Sequence, residues 1–511
     1  MLKSKGQGRD RATVGKPNIL FVMLDQMAAL SLPVYGHPIV RMPNLEKLAG
    51  RGAVFENAYC NAPLCSPARF ALMTGRYPSG IGAYDNAAEL PSDQPTWAHR
   101  LRALGYRTCL SGKMDFTGAD QLHGYEERLT TDLSPSDFGW TPNWDQPDLA
   151  QNWYHTMGSV AEAGPCDYTL NMEYDEDACF KAIQWLHRSA GEADARPFAL
   201  TVSFMHPHDP YQAPREFWDW YEGADIDAPH DDGNPVAARD VFGQRMYRLY
   251  DRGEIPVDAK QVLRARRAYY GMLSYCDSLL GRLLERLEML GLRDNTVVVV
   301  TSDHGDMLGE RGLWYKMVFF ERAIRVPMVF AGPGIPAGKR VSDLVSHLDL
   351  MPSFTALAGT ETALDGRNLL PLLRGERDDA REVVGQYMGE GYDHPLIMLR
   401  RESWKFIHSE AEGSFLYDLA ADPMERRNVA DSAQGRALRD EVRRRWDLAG
   451  LRAAVLESQR QRRLIHAALT EGRIAPWDFE RRENAAESYW RNYGDNRPDP
   501  DRALRLPRAP Q

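Results

Sequence analysis

Cys65-Ser-Pro-Ala-Arg69 puts a thiol at the start of a predicted helix and a guanidinium one turn on. The dipole at a helix N-terminus favours a thiolate, and residues four apart share a helix face, so Cys65 and Arg69 are expected to look into one site. Two further segments carry hard ligands: Leu24-Asp25-Gln26 and Thr301-Ser-Asp303-His304-Gly305. Carboxylate and amide oxygens suit calcium, magnesium or manganese, and an imidazole tilts the choice toward manganese or a mixed site. Lys113 in Ser-Gly-Lys-Met, Lys316 in Trp-Tyr-Lys-Met, Asn86 in Tyr-Asp-Asn-Ala and His206 in Met-His-Pro-His-Asp-Pro add cations, an amide and a proton carrier. Taken singly, Cys65 reads as a buried structural cysteine, Asp303-His304 as a surface turn, and each Lys or Asn as a solvated side chain. Together they put positive charge around a transferring anionic group, which is what such a transition state requires.

These residues need elements to hold them. Asn18–Leu24, Arg107–Leu110, Phe198–Phe204, Thr296–Thr301 and Val326–Ala331 are apolar runs of the kind found in buried parallel strands. Thr96–Leu104 and about Val257–Leu290 carry helical patterns between them. Alternating strands and helices predict an α/β fold, with a large, mostly parallel or mixed sheet flanked by helices. Asp25, Lys113, His206 and Asp303 each follow the C-terminal end of an apolar strand, the edge where open α/β sheets bind ligands.

The domain reading is a flexible lead over 1–16, a catalytic α/β domain over 17–380, a smaller α+β subdomain over 381–470 and an extended tail over 471–511. The subdomain is expected to hold short strands at Val383–Met388, Leu396–Arg400 and Trp404–His408, then one basic helical stretch from Gln434 to Leu469. The arginines of that stretch, Arg443–Arg445 and Arg460, Arg462 and Arg463, are expected at a subunit interface, with a solvated face as the alternative.

The chain has 511 residues, 43% of them hydrophobic and 26% charged, an ordinary globular composition. Asp and Glu outnumber Lys and Arg by 72 to 62, so there is no basic excess for a nucleic-acid partner. No apolar run approaches the roughly 18 residues of a membrane span, and the N-terminus has no apolar signal-peptide core. Six cysteines without a CxxC pair make neither a disulfide framework nor a structural zinc site. A reducing cytoplasm is the expected location. No Walker A, dinucleotide or GxSxG motif is present, which excludes three common enzyme classes.

The pentapeptide at Cys65 is the signature by which sulfatases have a cysteine oxidised to 3-oxoalanine (formylglycine), and the chain resembles that family over most of its length. The resemblance implies that Asp25, Gln26, Asp303, His304 and the modified Cys65 hold one divalent ion, calcium or alternatively manganese or magnesium. It implies that Lys113 and Lys316 bind the sulfate, that Arg69 and Asn86 lie near the nucleophile, that His206 protonates the leaving oxygen, and that a formylglycine-generating system matures the protein. Glu89–Met114, Asp120–Trp144 and the tail segments Ala475–Phe479 and Tyr489–Tyr493 are most similar to choline sulfatases. A quaternary ammonium cannot donate hydrogen bonds and is recognised by aromatic faces and carboxylates. Trp140 is the expected wall of its pocket, with His155 and Glu390 beside it. Trp140 read alone is equally a core residue. A homo-oligomer, dimer or tetramer, is expected, with Asp499 or Asp501 of the tail reaching a neighbour.

One position departs. Choline sulfatases carry histidine two residues after the lysine, where this chain has Asp115. Beside Lys113 and a metal, an aspartate is expected to acidify and to be a poor base. Its charge at ~5 Å in an effective dielectric of about 20 would repel an anionic substrate by roughly 3 kcal/mol. Three readings follow: choline-O-sulfate hydrolysis with Asp115 as substitute base or tolerated change; a shift toward phosphonate monoesters or phosphodiesters; and a silent choline-binding homologue.

Overall fold

Six apolar residues in a row, Ile19-Leu-Phe-Val-Met-Leu24, follow Asn18 to form a strand buried on both faces, and the molecule is assembled around it. The structure, a computed structural model, describes residues 15–133, 137–147, 155–192, 194–230, 240–250, 255–378 and 381–473. Nearly all of the expected lead and tail, with Asp499 and Asp501, lies outside the described residues.

In chain order the principal elements are β1 (Asn18–Leu24), α1 (Pro43–Gly50), β2 (Gly52–Tyr59), α2 (Cys65–Thr74), α3 (Trp97–Ala103), β3 (Arg107–Gly112), β4 (Glu127–Arg128), β5 (Gly164–Cys166), α4 (Leu170–Gly191), β6 (Phe198–Phe204), β7 (Gln212–Pro214) and α5 (Ala259–Met289). There follow β8 (Thr296–Ser302), β9 (Met328–Ala331), β10 (Lys339–Ser346), α6 (Leu350–Leu357), β11 (Glu382–Tyr387), β12 (Leu396–Arg401), β13 (Trp404–Ser409), β14 (Gly413–Asp418), α7 (Ala433–Arg445) and α8 (Leu448–Leu469). Short helices complete the path.

Eight strands form the main sheet in the order β10-β2-β9-β8-β1-β6-β3-β4. It is parallel except at β9, which runs antiparallel to β2 and β8. This is the mixed α/β fold that the alternation of elements predicts. Phe21 of β1 meets Trp97 of α3 and Phe354 of α6 edge-on. Helix α5 starts on a capping box between Asp258 and Gln261 and packs along α1 and α4. Asn18 on β1 accepts from the Phe198 amide and helps fix the start of β6 beside it.

The second sheet is an antiparallel meander, β11-β12-β13-β14, covered by α7 over Val384, Ile397, Leu399, Phe406, Leu416 and Val442. Its fourth strand, Gly413–Asp418, escapes a reading by apolar runs because charged and small residues bound it. The basic stretch is two helices rather than one. The chain breaks at Trp446-Asp447, and Asp447 caps α8 by accepting from the Gly450 amide at 2.9 Å. Its arginines turn onto their own chain: Arg443 pairs with Glu410, Arg445 with Glu382, and Arg460 with Asp145. No described helix is long and apolar enough to cross a membrane.

Candidate active site

Four neighbouring strands, β8, β1, β6 and β3, end in Ser302, Leu24, Phe204 and Gly112, and just beyond these ends lie Asp303, Asp25, His206 and Lys113. Adjacent strands lie about 4.8 Å apart, so their C-terminal ends bring these side chains to one edge. Gly112 makes one of the turns possible. It has φ +106°, and a Cβ there would sit 1.8 Å from the Ser203 carbonyl oxygen of β6. Gly305 allows another, because a Cβ would lie 1.9 Å from the Arg322 carbonyl.

Helix α2 enters this edge by its N-terminus and is buried along its whole length. Its cap residue, Leu64, has no side-chain acceptor, so the first-turn amides need a partner from elsewhere. Asn86 supplies one: its Oδ1 accepts from the Ser66 amide at 3.0 Å. Cys65 Sγ lies 3.3 Å from His304 Nε2. Ligand atoms of Asp25, Cys65, Asp303 and His304 all fall within 4.8 Å of one another, and all four residues are buried.

The donor set suits a divalent cation. Asp25 Oδ1 is buried and has no hydrogen-bond partner, which is expensive unless an ion faces it. His304 Nδ1 faces the Gly305 carbonyl at 3.0 Å, which leaves Nε2 as the lone pair turned to the cluster. Burial holds this imidazole down to about 4, despite Asp303 beside it, so it is in the neutral ligand form. Gln26, in the left-handed region at φ +66°, sits at the border. Its Oε1 accepts from Lys316 Nζ at 2.7 Å and its Nε2 donates to Asp306 at 2.7 Å.

Three cations surround the cluster. Arg69 donates to Asp303 at 3.0 Å, to Asp25 at 2.9 Å, to the Lys113 carbonyl at 2.7 Å and to Ser203 at 3.0 Å, with no solvent exposure. Lys113 Nζ donates to Asp25 Oδ2 at 2.6 Å. Burial works against its charge, but Asp115 and Asp25 outweigh it and hold Lys113 well above its ordinary value. Lys316 is flanked by Tyr315 and Met317, both at positive φ, and also reaches His208 Nε2 at 2.7 Å. Burial and Lys316 push His208 down to about 3, so it is the neutral acceptor for that ammonium.

Two expectations are corrected here. Cys65 is not a stabilised thiolate: burial, and then the Asp25 charge, push its thiol up to about 12. The helix dipole loses because Cys65 is almost wholly withdrawn from water. Asp115 does not acidify. Burial raises it to about 6 in spite of Lys113 and Arg69. Its Oδ2 lies 3.4 Å from Arg69 Nε and 3.6 Å from Lys113 Nζ but accepts no hydrogen bond.

The expected substrate-binding residues lie on three supports. Glu390 is buried, with Oε1 unpartnered, and burial together with Asp85 raises it to about 8. His155 stacks on Tyr315 at 4.4 Å, and its Nδ1 lies 3.1 Å from Asp209, which neighbours His208. Trp140 is half-buried in a turn, Phe138–Trp140, that packs against α8. A nearby link runs from the Trp144 indole N–H to the Gly389 carbonyl at 3.1 Å, beside Glu390. Sequence reasoning missed Asp175, His208, Asp209 and Asp306. His208 and Asp209 lie inside the Met-His-Pro-His-Asp-Pro segment, where only the first histidine was given a role.

A family model described as Sulfatase matches residues 17–360. The chain belongs to the sulfatase family. Models described as N-sulphoglucosamine sulphohydrolase, C-terminal, and Choline sulfatase enzyme C terminal match residues 309–451 and 453–498. The chain is 43% identical to the choline-sulfatase of Rhizobium meliloti, over 94% of this chain and 97% of that protein. It is 28% identical to human arylsulfatase K, over 83% of this chain and 81% of that one. A phosphonate monoester hydrolase of Agrobacterium radiobacter superposes with a TM-score of 0.68 at 26% identity, covering 86% of this chain and 96% of that one. As a member of this family the sulfatase described here is a sulfuric ester hydrolase.

Proposed function

We propose that this sulfatase hydrolyses choline-O-sulfate to choline and sulfate at the buried edge formed by β8, β1, β6 and β3. The observation that carries the reading is the convergence of Asp25, Cys65, Asp303 and His304 inside a ring of Arg69, Lys113 and Lys316. The near full-length likeness to a choline-sulfatase supports the choice of ester.

Asp25, Asp303, His304 and the residue made from Cys65 would hold one divalent ion, with Gln26 at its border; calcium, manganese and magnesium all fit oxygen donors plus one imidazole. When bound, the ion would supply charge stabilisation at a transferring oxygen, and a formylglycine made from Cys65 would supply the nucleophilic hydroxyl. The remaining work belongs to the chain's own side chains. Arg69 holds Asp25 and Asp303 in place. Lys113 and Lys316 bind the non-bridging sulfate oxygens and offset the charge that grows on them. His206 gives a proton to the leaving choline oxygen. Asp115 Oδ2 accepts a proton in the step that frees sulfate, a task that burial suits it for. Asn86 holds the first turn of α2. Trp140, His155 and Glu390 would receive the ammonium. Maturation by a formylglycine-generating system, a cytoplasmic location and a homo-oligomeric state belong to the same reading.

The test is kcat/KM for choline-O-sulfate against that for an aromatic phosphodiester, on metal-replete protein whose Cys65 peptide mass shows conversion. A ratio well above one is expected, and Cys65→Ala should abolish turnover with the fold intact. A ratio well below one moves the chain to phosphodiester or phosphonate chemistry, the reading that the resemblance to phosphonate monoester hydrolases and Asp115 would then favour. Retention of more than a few per cent of activity in Cys65→Ala would remove the formylglycine.

A further inference from the structure

Lys316 is only 1% exposed, and after burial its charge is among those felt by both Cys65 and His304, which puts it beside the cluster. Two of its three N–H groups are taken, by Gln26 Oε1 and His208 Nε2, each at 2.7 Å. The third has no acceptor among the described residues and is left for a substrate oxygen. A carboxylate that does not touch the lysine holds it in this pose. Asp306, just past Asp303-His304-Gly305, has no solvent exposure. Its Oδ2 accepts from Gln26 Nε2 and from the Tyr211 hydroxyl, each at 2.7 Å. Its Oδ1 accepts from the Leu308 amide at 2.8 Å and from the Tyr315 amide at 3.1 Å. Tyr315 and Met317, on either side of the lysine, lie in the left-handed region at φ +61° and +74°. Such a backbone persists only where its surroundings fix it. Here the Tyr315 amide is held by Asp306, the Met317 amide by the Pro63 carbonyl at 3.0 Å, and the Lys316 carbonyl by the Tyr250 hydroxyl at 2.9 Å.

The Gln26 side chain thus stands between a carboxylate, which accepts, and an ammonium, which only donates. Its amide has one orientation that satisfies both, Nε2 to Asp306 and Oε1 to Lys316. We propose that Asp306 is a positioning residue for the sulfate end of the site: it turns the Gln26 amide and anchors the Tyr315 amide, and so aims the Lys316 ammonium at the sulfate oxygens. This rests on the reading of Lys316 as a sulfate-binding cation given above. A carboxylate that served the loop alone would need only Oδ1, whereas Oδ2 is the oxygen that meets Gln26. Asp306→Asn keeps the shape but replaces one oxygen by an NH₂ group. That group must face either the Gln26 and Tyr211 donors or the Leu308 and Tyr315 amides, so one of the two holds on Lys316 is lost whichever way the new amide turns.

The test reads the two ends of the substrate separately, with inorganic sulfate and choline as competitive inhibitors of the metal-replete protein converted at Cys65. Asp306→Asn is expected to raise KM for choline-O-sulfate and Ki for sulfate about 10- to 100-fold, and to leave Ki for choline within about twofold. Lys316→Ala should show the same bias, and adding Asp306→Asn to it should cost less than about threefold more, because both act on one contact. Equal losses for sulfate and choline, or full additivity of the two changes, would reduce Asp306 to a support of the loop. Should Asp306→Asn fail to fold, Asp306→Glu, which keeps the charge but moves it toward Gln26, should show the same bias at smaller size, and an unbiased loss there would overturn the proposal. A biased loss in Lys316→Ala with none in Asp306→Asn would overturn the role of Asp306 alone. An unchanged Ki for sulfate in Lys316→Ala would instead remove Lys316 as the sulfate cation, and the proposal would fall with that reading.

Discussion

At Asp115 burial and charge pull in opposite directions, and burial wins. A side chain flanked by Arg69 and Lys113 would be strongly acidic in water, yet it is raised to about 6. Its ionised fraction then grows as pH rises through about 6, so a reaction that needs the carboxylate as base gains activity over that range. We expect kcat to show this acidic limb, and Asp115→Asn to lose the limb together with about 10²–10⁴-fold in rate, read from a pH profile on both proteins. Glu390 titrates higher, at about 8, because burial and Asp85 both favour its neutral form. A quaternary ammonium beside it requires the carboxylate, so binding such a substrate should release a proton near neutrality. KM for choline-O-sulfate is expected to fall as pH rises toward 8 and level off above it, while KM for an aryl sulfate that carries no ammonium follows no such trend. A KM in Glu390→Gln that still falls with pH would assign the effect elsewhere.

Helix α8 acts as a brace between segments that are far apart in sequence. Arg462 makes a two-pronged pair with Asp85, at 2.6 and 2.7 Å, one residue before Asn86. Gln459 accepts from the Trp144 amide at 3.0 Å, Arg463 donates to the Pro142 carbonyl at 2.9 Å, and Arg460 pairs with Asp145 at 2.7 Å. The brace thus ties together the turn that bears Trp140, the loop that bears Asn86 and, through Trp144, the backbone beside Glu390. Arg462→Met leaves Asp85 buried and unpaired, a loss of about 3–5 kcal/mol for such pairs. The melting temperature should drop and turnover should weaken. Asp85→Asn combined with Arg462→Met should cost less than the two changes summed, because each already breaks the same contact. Strict additivity of the two losses would show that the brace acts through other contacts.

For the whole molecule, the cluster at the sheet edge gathers Asp25 from β1, Asp303 from β8, Cys65 from α2 and the cations from still other segments. An ion that binds the folded chain and not the unfolded one stabilises the fold by mass action. Chelation is therefore expected to lower the melting temperature, and restored calcium, manganese or magnesium to raise it in a concentration-dependent way. Asp25→Asn should lose that response, because it removes the charge of the carboxylate whose Oδ1 is orphaned. A melting temperature indifferent to chelator and metal in the unaltered chain would argue against a resident ion.

The amino-acid sequence by itself determined the class of fold and the identity of most of the site. Apolar runs long enough for strands, each followed by Asp, Lys or His, mark the catalytic edge because period and composition are local properties. The Cys65–Arg69 pentapeptide and the Asp303-His304 pair are local too. What only the tertiary structure decided depends on distance and burial. The protonation of Cys65 and Asp115 follows from exclusion of water, which neighbouring residue types do not reveal. Asp175 and Arg462 lie in helices with no motif around them, and they meet His206 and Asp85 only because α4 and α8 pack where they do. The break at Trp446-Asp447 was hidden for a related reason: a helical pattern continues across it, and one helix ends at Trp446 while the capping contact of Asp447 begins the next.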